Sequence, residues 1–228
     1  MAISGLAPVS VVIPAYNAEC FVGQAIASVL AQTYKPSEII VVNDGSTDRT
    51  ADRVAAFVDV RLASKQNGGP GSARNFGLQH ATQPLVAFLD ADDLWTPRKL
   101  ERQIEALRRS GAPKFVFGKA VEFRELDAEG APVPLADPVQ CQLPGALLGT
   151  RAALDAMGPF REDRRVGDVI DWYARALDSG VATDALDEVV LLRRLHENNL
   201  GRTSKNPSAD YLNVLRTVIN RRNSAAKP

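Results

Sequence analysis

The stretch that decides the fold is an apolar run that ends in three carboxylates: Leu85-Val86-Ala87-Phe88-Leu89-Asp90-Ala91-Asp92-Asp93. Thr96-Pro97 then opens a helix, so the pattern predicts a buried strand followed closely by a helix. Such turns lie at the carboxyl edge of an open α/β sheet, where ligands bind. Carboxylates this close repel one another unless a cation or hydrogen-bond donors neutralise them, and their oxygens suit Mg²⁺ or Mn²⁺ shared with substrate phosphates. The alternative interpretation is a solvated acidic turn before the helix.

The composition is that of an ordinary globular protein, with 228 residues of which 45% are hydrophobic and 24% charged. This length predicts a single domain. The formal net charge is zero, which does not indicate a nucleic-acid partner. No apolar run approaches the roughly 20 residues of a transmembrane helix, and the first residues lack an export signal, so we expect no integral membrane segment and a cytoplasmic location. Cys20 and Cys141 are expected to be free thiols.

Strands and helices alternate through the first half of the sequence. Short apolar runs are separated by segments with helical spacing of apolar residues; the runs are 9–13, 39–42, 60–63 and 85–89. This alternation predicts a parallel sheet covered by helices on both faces. A helix is predicted over 72–80, and Ser46 or Thr47 is predicted to cap the helix after the second strand.

The pattern loosens after the strand predicted at 115–117. Residues 124–142 are rich in Pro, Asp and Ala and are predicted to form a mobile loop over one face of the sheet. The chain then returns to the sheet; helices are predicted at 151–157 and 168–179, and a strand at 189–192. A final amphipathic helix is predicted to dock on its own domain, on a second copy or on a membrane surface. The sequence therefore leaves open a monomer, a homodimer and a peripheral membrane contact.

Three strand ends carry polar residues to one edge of the predicted sheet: Tyr16-Asn17, Asp44 and the acidic cluster. Tyr16 can stack on a base, and Asp44 can accept a hydrogen bond from a base edge or a ribose hydroxyl. Gly68-Gly69-Pro70-Gly71 is neither a dinucleotide fingerprint nor a P-loop, which disfavours a nicotinamide oxidoreductase and a P-loop NTPase. Arg74 is placed either against phosphate, against the Asp cluster or on the surface.

These motifs together resemble family 2 glycosyltransferases. They stand in the order seen in that family: Val11-Val12-Ile13-Pro14-Ala15-Tyr16-Asn17, Val41-Val42-Asn43-Asp44-Gly45-Ser46-Thr47-Asp48, Gly71-Ser72-Ala73-Arg74-Asn75 and Phe88-Leu89-Asp90-Ala91-Asp92-Asp93. The resemblance implies the α/β GT-A fold, with a single, mostly parallel central sheet flanked by helices. It implies one domain over 1–228, divided into a Rossmann-like nucleotide-sugar-binding half at 8–110, an acceptor-binding half at 111–205, and a C-terminal helix and tail at 206–228.

The resemblance also implies a nucleoside-diphosphate-sugar donor, with a UDP-sugar expected, and a role in polysaccharide biosynthesis. The implied donor-binding residues are Pro14, Ala15, Tyr16, Asn17, Asp44, Gly45, Asn67, Arg74, Asp90 and Ala91. In this scheme Asp44 contacts the base, Asp90 lies near the ribose, and Asp92 holds Mn²⁺ or Mg²⁺ on the diphosphate. Arg74 supports the acidic cluster, while Asp93 is assigned to the helix that follows.

The catalytic base is expected in the second half. The family's Glu-Asp pair corresponds to Asp168-Val169 here, so Asp168 is the first candidate and Asp171, one turn further on, is the second. Their structural alternatives are a favourable charge at a helix N-terminus and an ion pair with Arg175. Trp172 is expected against an acceptor sugar or in the core.

Arg194-Leu195-His196 resembles an Arg-x-His segment that closes over the diphosphate in some members of the family. His196 is therefore expected to bind the metal or a phosphate oxygen, with a purely structural histidine as the alternative, and Arg194 is either part of that closure or solvated. The sequence as a whole predicts a metal-dependent, inverting glycosyltransferase that acts on a hydroxyl of a saccharide, lipid-linked or other acceptor. A nucleotide-sugar-binding protein without turnover and a sugar nucleotidyltransferase are the alternatives.

Overall fold

The computed structural model describes residues 8–109, 114–163, 168–197, 199, 216, 217 and 219. Within them, ten strands form one mixed sheet. The strands are β1 (Val9–Ala15), β2 (Glu38–Asp44), β3 (Arg61–Lys65), β4 (Leu85–Phe88), β5 (Leu94–Trp95), β6 (Lys114–Leu126), β7 (Pro132–Pro134), β8 (Val139–Cys141), β9 (Leu148–Thr150) and β10 (Ala182–Arg194). The helices are α1 (Val22–Leu30), α2 (Thr50–Ala55), α3 (Pro70–His80), α4 (Lys99–Arg108), α5 (Arg151–Met157) and α6 (Asp168–Asp178), with a 3₁₀ turn at Pro144–Ala146.

The strand order along the sheet is β3-β2-β1-β4-β9-β6-β10-β5, and the first four strands are parallel. The chain moves outward from β1 through β2 to β3, and then crosses back to place β4 on the other side of β1. The order therefore reverses between β1 and β4. In open α/β sheets, the crevice outside the carboxyl ends of the strands at such a reversal is where ligands bind.

The second half of the sheet is mixed. β9 is antiparallel to both β4 and β6, β10 is parallel to β6, and β5 is antiparallel to β10. The predicted α/β class is confirmed, while parallel pairing is confined to the first four strands and to the β6–β10 pair.

About half of the segment predicted as a mobile loop, 124–142, lies in strands of the sheet instead, and the loop prediction was wrong for these residues. β6 continues to Leu126, and β7 and β8 both pair with it in antiparallel fashion. Two prolines in β7 had indicated a loop. A short edge strand tolerates proline because one side of it has no partner strand that needs an N–H donor.

The sheet separates two layers of apolar side chains, as alternation along β1 requires. Val11 and Ile13 face the layer that includes α1 and α4, whereas Val12 faces the layer that includes α3, α5 and α6. Both layers are almost free of solvent. The carboxyl ends of β1, β2 and β4 are thus held in fixed positions at one edge.

The predicted cap of α2 was wrong. Neither Ser46 nor Thr47 caps this helix, because Asp48 accepts from the backbone N–H of Thr50 at 2.9 Å instead. The predicted C-terminal helix lies outside the described residues except for 216, 217 and 219. In the part of the chain that the structure describes, no helix has the length and apolar character needed to cross a bilayer.

Gly77 on α3 tests how tightly that helix packs on the sheet. A Cβ at this position would lie 2.2 Å from Val12 Cγ1, so we expect Gly77→Ala to lower the free energy of unfolding by about 1–3 kcal/mol. Gly23 on α1 is a matched control, since its added Cβ meets nothing within 4 Å. Gly23→Ala should raise stability by roughly 0.5–1 kcal/mol. Urea unfolding measures both, and equal stability of the two variants would contradict the packing.

Lys99 provides a pH test of the core. Its ammonium is fully buried, donates to Gln103 Oε1 at 2.7 Å and to the Leu147 carbonyl at 2.9 Å, and burial holds the pKa of Lys99 well below its usual range. The unfolded chain keeps this proton up to about pH 10.4, so between the two pKa values the unfolded state binds more protons. The free energy of unfolding should therefore rise with pH through that window.

Lys99→Met should lose this rise, and Lys35→Met, at an exposed lysine, should keep it. Chemical unfolding at pH 8 and pH 10 gives the comparison. A Lys99→Met variant with the pH dependence of the wild type would show that the buried amine does not titrate as described.

Candidate active site

Asn17 joins the loops after β1 and β2. It takes a left-handed backbone conformation with φ of 47°, and its Oδ1 accepts from the Thr47 backbone N–H at 2.8 Å. The backbone N–H of Asn17 donates to Ser46 Oγ at 3.1 Å. Tyr16, just before it, is half exposed at the same edge, so its ring is accessible to a ligand.

Asp44 is buried and organises the turn between β3 and α3. Its carboxylate accepts from the backbone N–H groups of Gly68 at 3.0 Å and Gly69 at 2.8 Å, and from Lys65 Nζ at 2.9 Å. Asn67 Nδ2 donates to the backbone carbonyl of Asp44 at 2.9 Å. Gly45, next along, has φ of 73°, and a Cβ there would lie 2.8 Å from the Asn67 nitrogen. Three of the residues implied by the resemblance thus build one rigid corner of the crevice.

Lys65 was not identified from the sequence. It ends β3, and its ammonium also donates to the Gln66 carbonyl at 2.6 Å, which leaves one of its three N–H groups for the crevice. The signal that could have found it is its position at the end of a strand beside Asp44, two residues past the predicted end of that strand.

Arg74 supports the acidic turn, as one of its three sequence interpretations proposed. Its side chain is buried on α3, and Nη2 donates to Asp90 Oδ1 at 2.7 Å. The guanidinium carbon lies 5.6 Å from the centroid of the Phe160 ring. The solvated surface alternative is therefore wrong. Asp90 remains about one third exposed, so its second oxygen is open to a ligand.

Asp92 and His196 meet although 104 residues separate them in sequence. His196 Nε2 lies 2.9 Å from Asp92 Oδ2, and both side chains are partly exposed, at 20% and 28%. The imidazole also packs on the ring of Phe21, with 4.8 Å between centroids. Asn199 braces the pair: Nδ2 donates to Asp92 Oδ2 at 3.2 Å, and Oδ1 accepts from the His196 backbone N–H at 2.6 Å. Asn199 was missed by the sequence reasoning, which stopped at His196.

Asp93 turns inward, and its assignment to the following helix was wrong. It is buried, and its Oδ1 accepts from the backbone N–H of Arg194 at 2.8 Å. Burial raises the pKa of Asp93 well above its usual range, and the neighbouring charges of Asp92 and Asp90 raise it further. The third carboxylate is therefore an internal tie to β10 rather than a surface charge.

Arg194 is buried rather than solvated. Its Nε donates to the backbone carbonyl of Asp92 at 2.9 Å, and Nη2 donates to Gln24 Oε1 at 2.6 Å. The guanidinium lies between the rings of Phe21 and Phe123, at 5.1 and 4.5 Å from their centroids. Such stacking and fork-like donation suit Arg better than Lys. The Arg-x-His segment therefore closes on the acidic turn.

The two candidate bases differ in their surroundings. Asp171 is buried and accepts from Arg175 Nε at 3.0 Å, which is the structural alternative considered for it. Asp168 begins α6, but its side chain lies outside the described residues. Trp172 is fully buried and stacks on Phe160 with 5.0 Å between centroids, so it belongs to the core.

The model of Glycosyl transferase family 2 matches residues 10–128, which is more than half of the chain and includes β1 to β6. The chain belongs to this family. The matched segment contains the corner at Asp44, the Arg74–Asp90 pair and Asp92, whereas His196 and α6 lie beyond it.

Curated relatives match slightly less than half of the chain. An uncharacterized glycosyltransferase of Rickettsia typhi is 45% identical over 102 residues, which cover 44% of this chain and 32% of the relative. The UDP-Glc:alpha-D-GlcNAc-diphosphoundecaprenol beta-1,3-glucosyltransferase WfgD of Escherichia coli is 40% identical over 113 residues, which cover 48% of this chain and 44% of WfgD. The chain therefore matches less than half the length of these relatives.

Solved structures match over most of the chain. S. aureus TarS 1-349 in complex with UDP-GlcNAc has a TM-score of 0.76 at 21% identity, and covers 92% of this chain and 65% of that structure. This likeness confirms the predicted GT-A fold.

Arg194 can be tested against its neighbour. Arg194→Lys removes the fork that holds Asp92 and Gln24 together, so we expect the free energy of unfolding to fall by about 3 kcal/mol. Arg193→Lys is the matched control, because Arg193 is 40% exposed and pairs with Glu122 on the surface, where a loss below about 1 kcal/mol is expected. Similar losses in urea unfolding for both variants would show that Arg194 does not hold the turn.

Proposed function

We propose that this chain is a metal-dependent, inverting glycosyltransferase that moves a sugar from a nucleoside diphosphate to a hydroxyl-bearing acceptor. The contact between Asp92 and His196, at the crevice where the sheet order reverses, carries the proposal. It brings a carboxylate and an imidazole that are 104 residues apart in the sequence to one partly exposed point. The Arg74–Asp90 pair stands at the same turn.

A UDP-sugar is the proposed donor. Tyr16 offers an exposed ring on which the nucleotide base can stack. Lys65 can donate its remaining N–H to a carbonyl of that base or to a phosphate, and Asp90 can accept from a ribose hydroxyl. Asp44 is buried and already accepts three hydrogen bonds. Its proposed role in binding the nucleotide base is therefore indirect: it holds Lys65 and the backbone of Gly68 and Gly69 in position. The printed names of WfgD and of the TarS complex, which contain UDP-Glc and UDP-GlcNAc, support this choice.

The residues present fit a divalent metal. Among the described residues there is no cluster of three or more His, Cys, Asp or Glu side chains that would enclose an ion. Mg²⁺ and Mn²⁺ bound with substrate phosphates need only one or two protein ligands. The carboxylate of Asp92 would supply one, and His196 Nε2 would supply a second on giving up its contact with Asp92 Oδ2. The metal, when bound, stabilises the charge that develops on the departing diphosphate.

The transfer step requires a base on the acceptor side. The acceptor oxygen attacks the anomeric carbon, the bond from that carbon to the diphosphate oxygen breaks, and a carboxylate takes the hydroxyl proton. Asp171 is committed to Arg175, so we propose Asp168 for this role. A cytoplasmic location and a role in polysaccharide biosynthesis remain parts of the proposal.

Asp92→Asn tests the central assignment. The amide keeps the size of the side chain but loses the charge, so Mn²⁺-dependent affinity for UDP should fall by about tenfold or more, and sugar transfer should fall with it. Calorimetric titration of UDP with and without Mn²⁺ measures the binding. Asp59→Asn, at an exposed position away from the crevice, should bind like the wild type. Unchanged Mn²⁺-dependent binding by Asp92→Asn would refute the metal assignment.

Asp168→Asn distinguishes an enzyme from a nucleotide-sugar-binding protein that catalyses no transfer. An enzyme should lose transfer while its affinity for UDP stays within about twofold of the wild type, since the base does not contact the donor nucleotide. A pure binder shows no transfer before the change, whatever acceptor is supplied.

A further inference from the structure

A cavity of about 440 Å³ lies beside the acidic turn. Its walls come from β6, from the end of β10, from the segment around β8 and from α6; six of its lining residues are Glu122, Asp137, Val139, Ile170, Tyr173 and Arg193. The volume falls within the roughly 300–1,000 Å³ of small-molecule sites. None of these residues has a part in the donor site proposed above.

The cavity lies next to the start of α6, because Val169 and Ile170, which line it, directly follow the proposed base Asp168. Arg193 lines it and stands next to Arg194, whose backbone N–H is bound to Asp93. Cys141 also lines the cavity, and burial and, to a smaller extent, the charges of Asp93 and Asp90 raise the pKa of its thiol. A ligand in the cavity would therefore lie beside the first turn of α6, next in sequence to the residue proposed as the base.

The lining combines an apolar wall with hydrogen-bonding groups. Val139, Ile170 and Tyr173 supply the apolar part, and Tyr173 is held edge-on to Phe117 at 5.6 Å between centroids. The carboxylates of Glu122 and Asp137 supply acceptors, and the amides of Gln140 and Gln142 supply both donors and acceptors. A pyranose ring presents the same combination, an apolar C–H face edged by hydroxyl groups.

We propose that this cavity binds an uncharged pyranose ring of the acceptor, which deepens the glycosyltransferase function proposed above and rests on it. An anionic group is disfavoured because Arg193 and Glu122 form an ion pair at 2.7 Å, which leaves the carboxylate of Asp137 as the uncompensated charge among the lining residues. An alkyl chain is disfavoured because it would cover carboxylates and amides without giving them hydrogen bonds.

The test uses the full chain and a panel of p-nitrophenyl hexopyranosides, with binding followed by saturation-transfer NMR in the presence of UDP and Mn²⁺. Val139, which is 62% exposed at the cavity, is changed to Trp to fill it from the rim. We expect Val139→Trp to lose about tenfold or more in glycoside affinity, with UDP affinity unchanged. Val58→Trp is the control, since Val58 is exposed and does not line the cavity.

A second arm compares each neutral glycoside with its 6-carboxylate, which should bind the wild type more weakly by about tenfold because of the charge of Asp137. Glycoside binding that survives Val139→Trp, equal binding of the 6-carboxylates, or no binding of any neutral glycoside by the wild type would each overturn the proposal. The same samples report on the donor. A wild-type chain that binds a glycoside but no UDP would refute the proposed donor and leave the cavity assignment standing.

Discussion

Arg194 provides the contact on which the site depends. Its backbone N–H is bound to Asp93, its Nε to the Asp92 carbonyl and its Nη2 to Gln24, so one residue fastens the end of β10 to the acidic turn and to α1. His196, two residues further on, is thereby brought to Asp92. A buried guanidinium with these donors satisfied is costly to disturb, because any lost partner leaves a desolvated charge behind. The last described strand, the acidic turn after β4 and α1 are thus held together at the crevice.

The two proposed binding sites are built from different parts of the sheet. The parallel strands bring Tyr16, Asp44 and Asp90 to one crevice, and the family match lies over this part of the chain. The mixed strands and α6 build the cavity around Tyr173, and α6 lies beyond the segment that the family model matches. A fold of this kind can keep one donor site while the lining of the second site changes, because the two are built from different strands.

The sequence allowed the first half to be predicted and the second half only in outline. Strand-to-turn motifs such as those at Asp44 and Asp90 are local, so apolar runs and turn residues were sufficient to place them at one edge. The burial of Arg194, the inward turn of Asp93 and the bracing by Asn199 arise from contacts across more than a hundred residues, which no local pattern encodes. The prediction for 124–142 was wrong for another reason. Prolines usually indicate a loop, and they are compatible with a strand only when that strand lies at the edge of a sheet, as β7 does.

The prolines of β7 have a consequence for how this molecule meets others. Leu135 donates its N–H to the Glu122 carbonyl of β6, so the alternation of an antiparallel strand turns positions 132 and 134 outward, and both are proline. The outer edge of β7 therefore presents carbonyl oxygens but no backbone N–H groups to an approaching strand. Sheet extension from one molecule into the next, which is the usual route to edge-to-edge aggregation, therefore finds no template at β7.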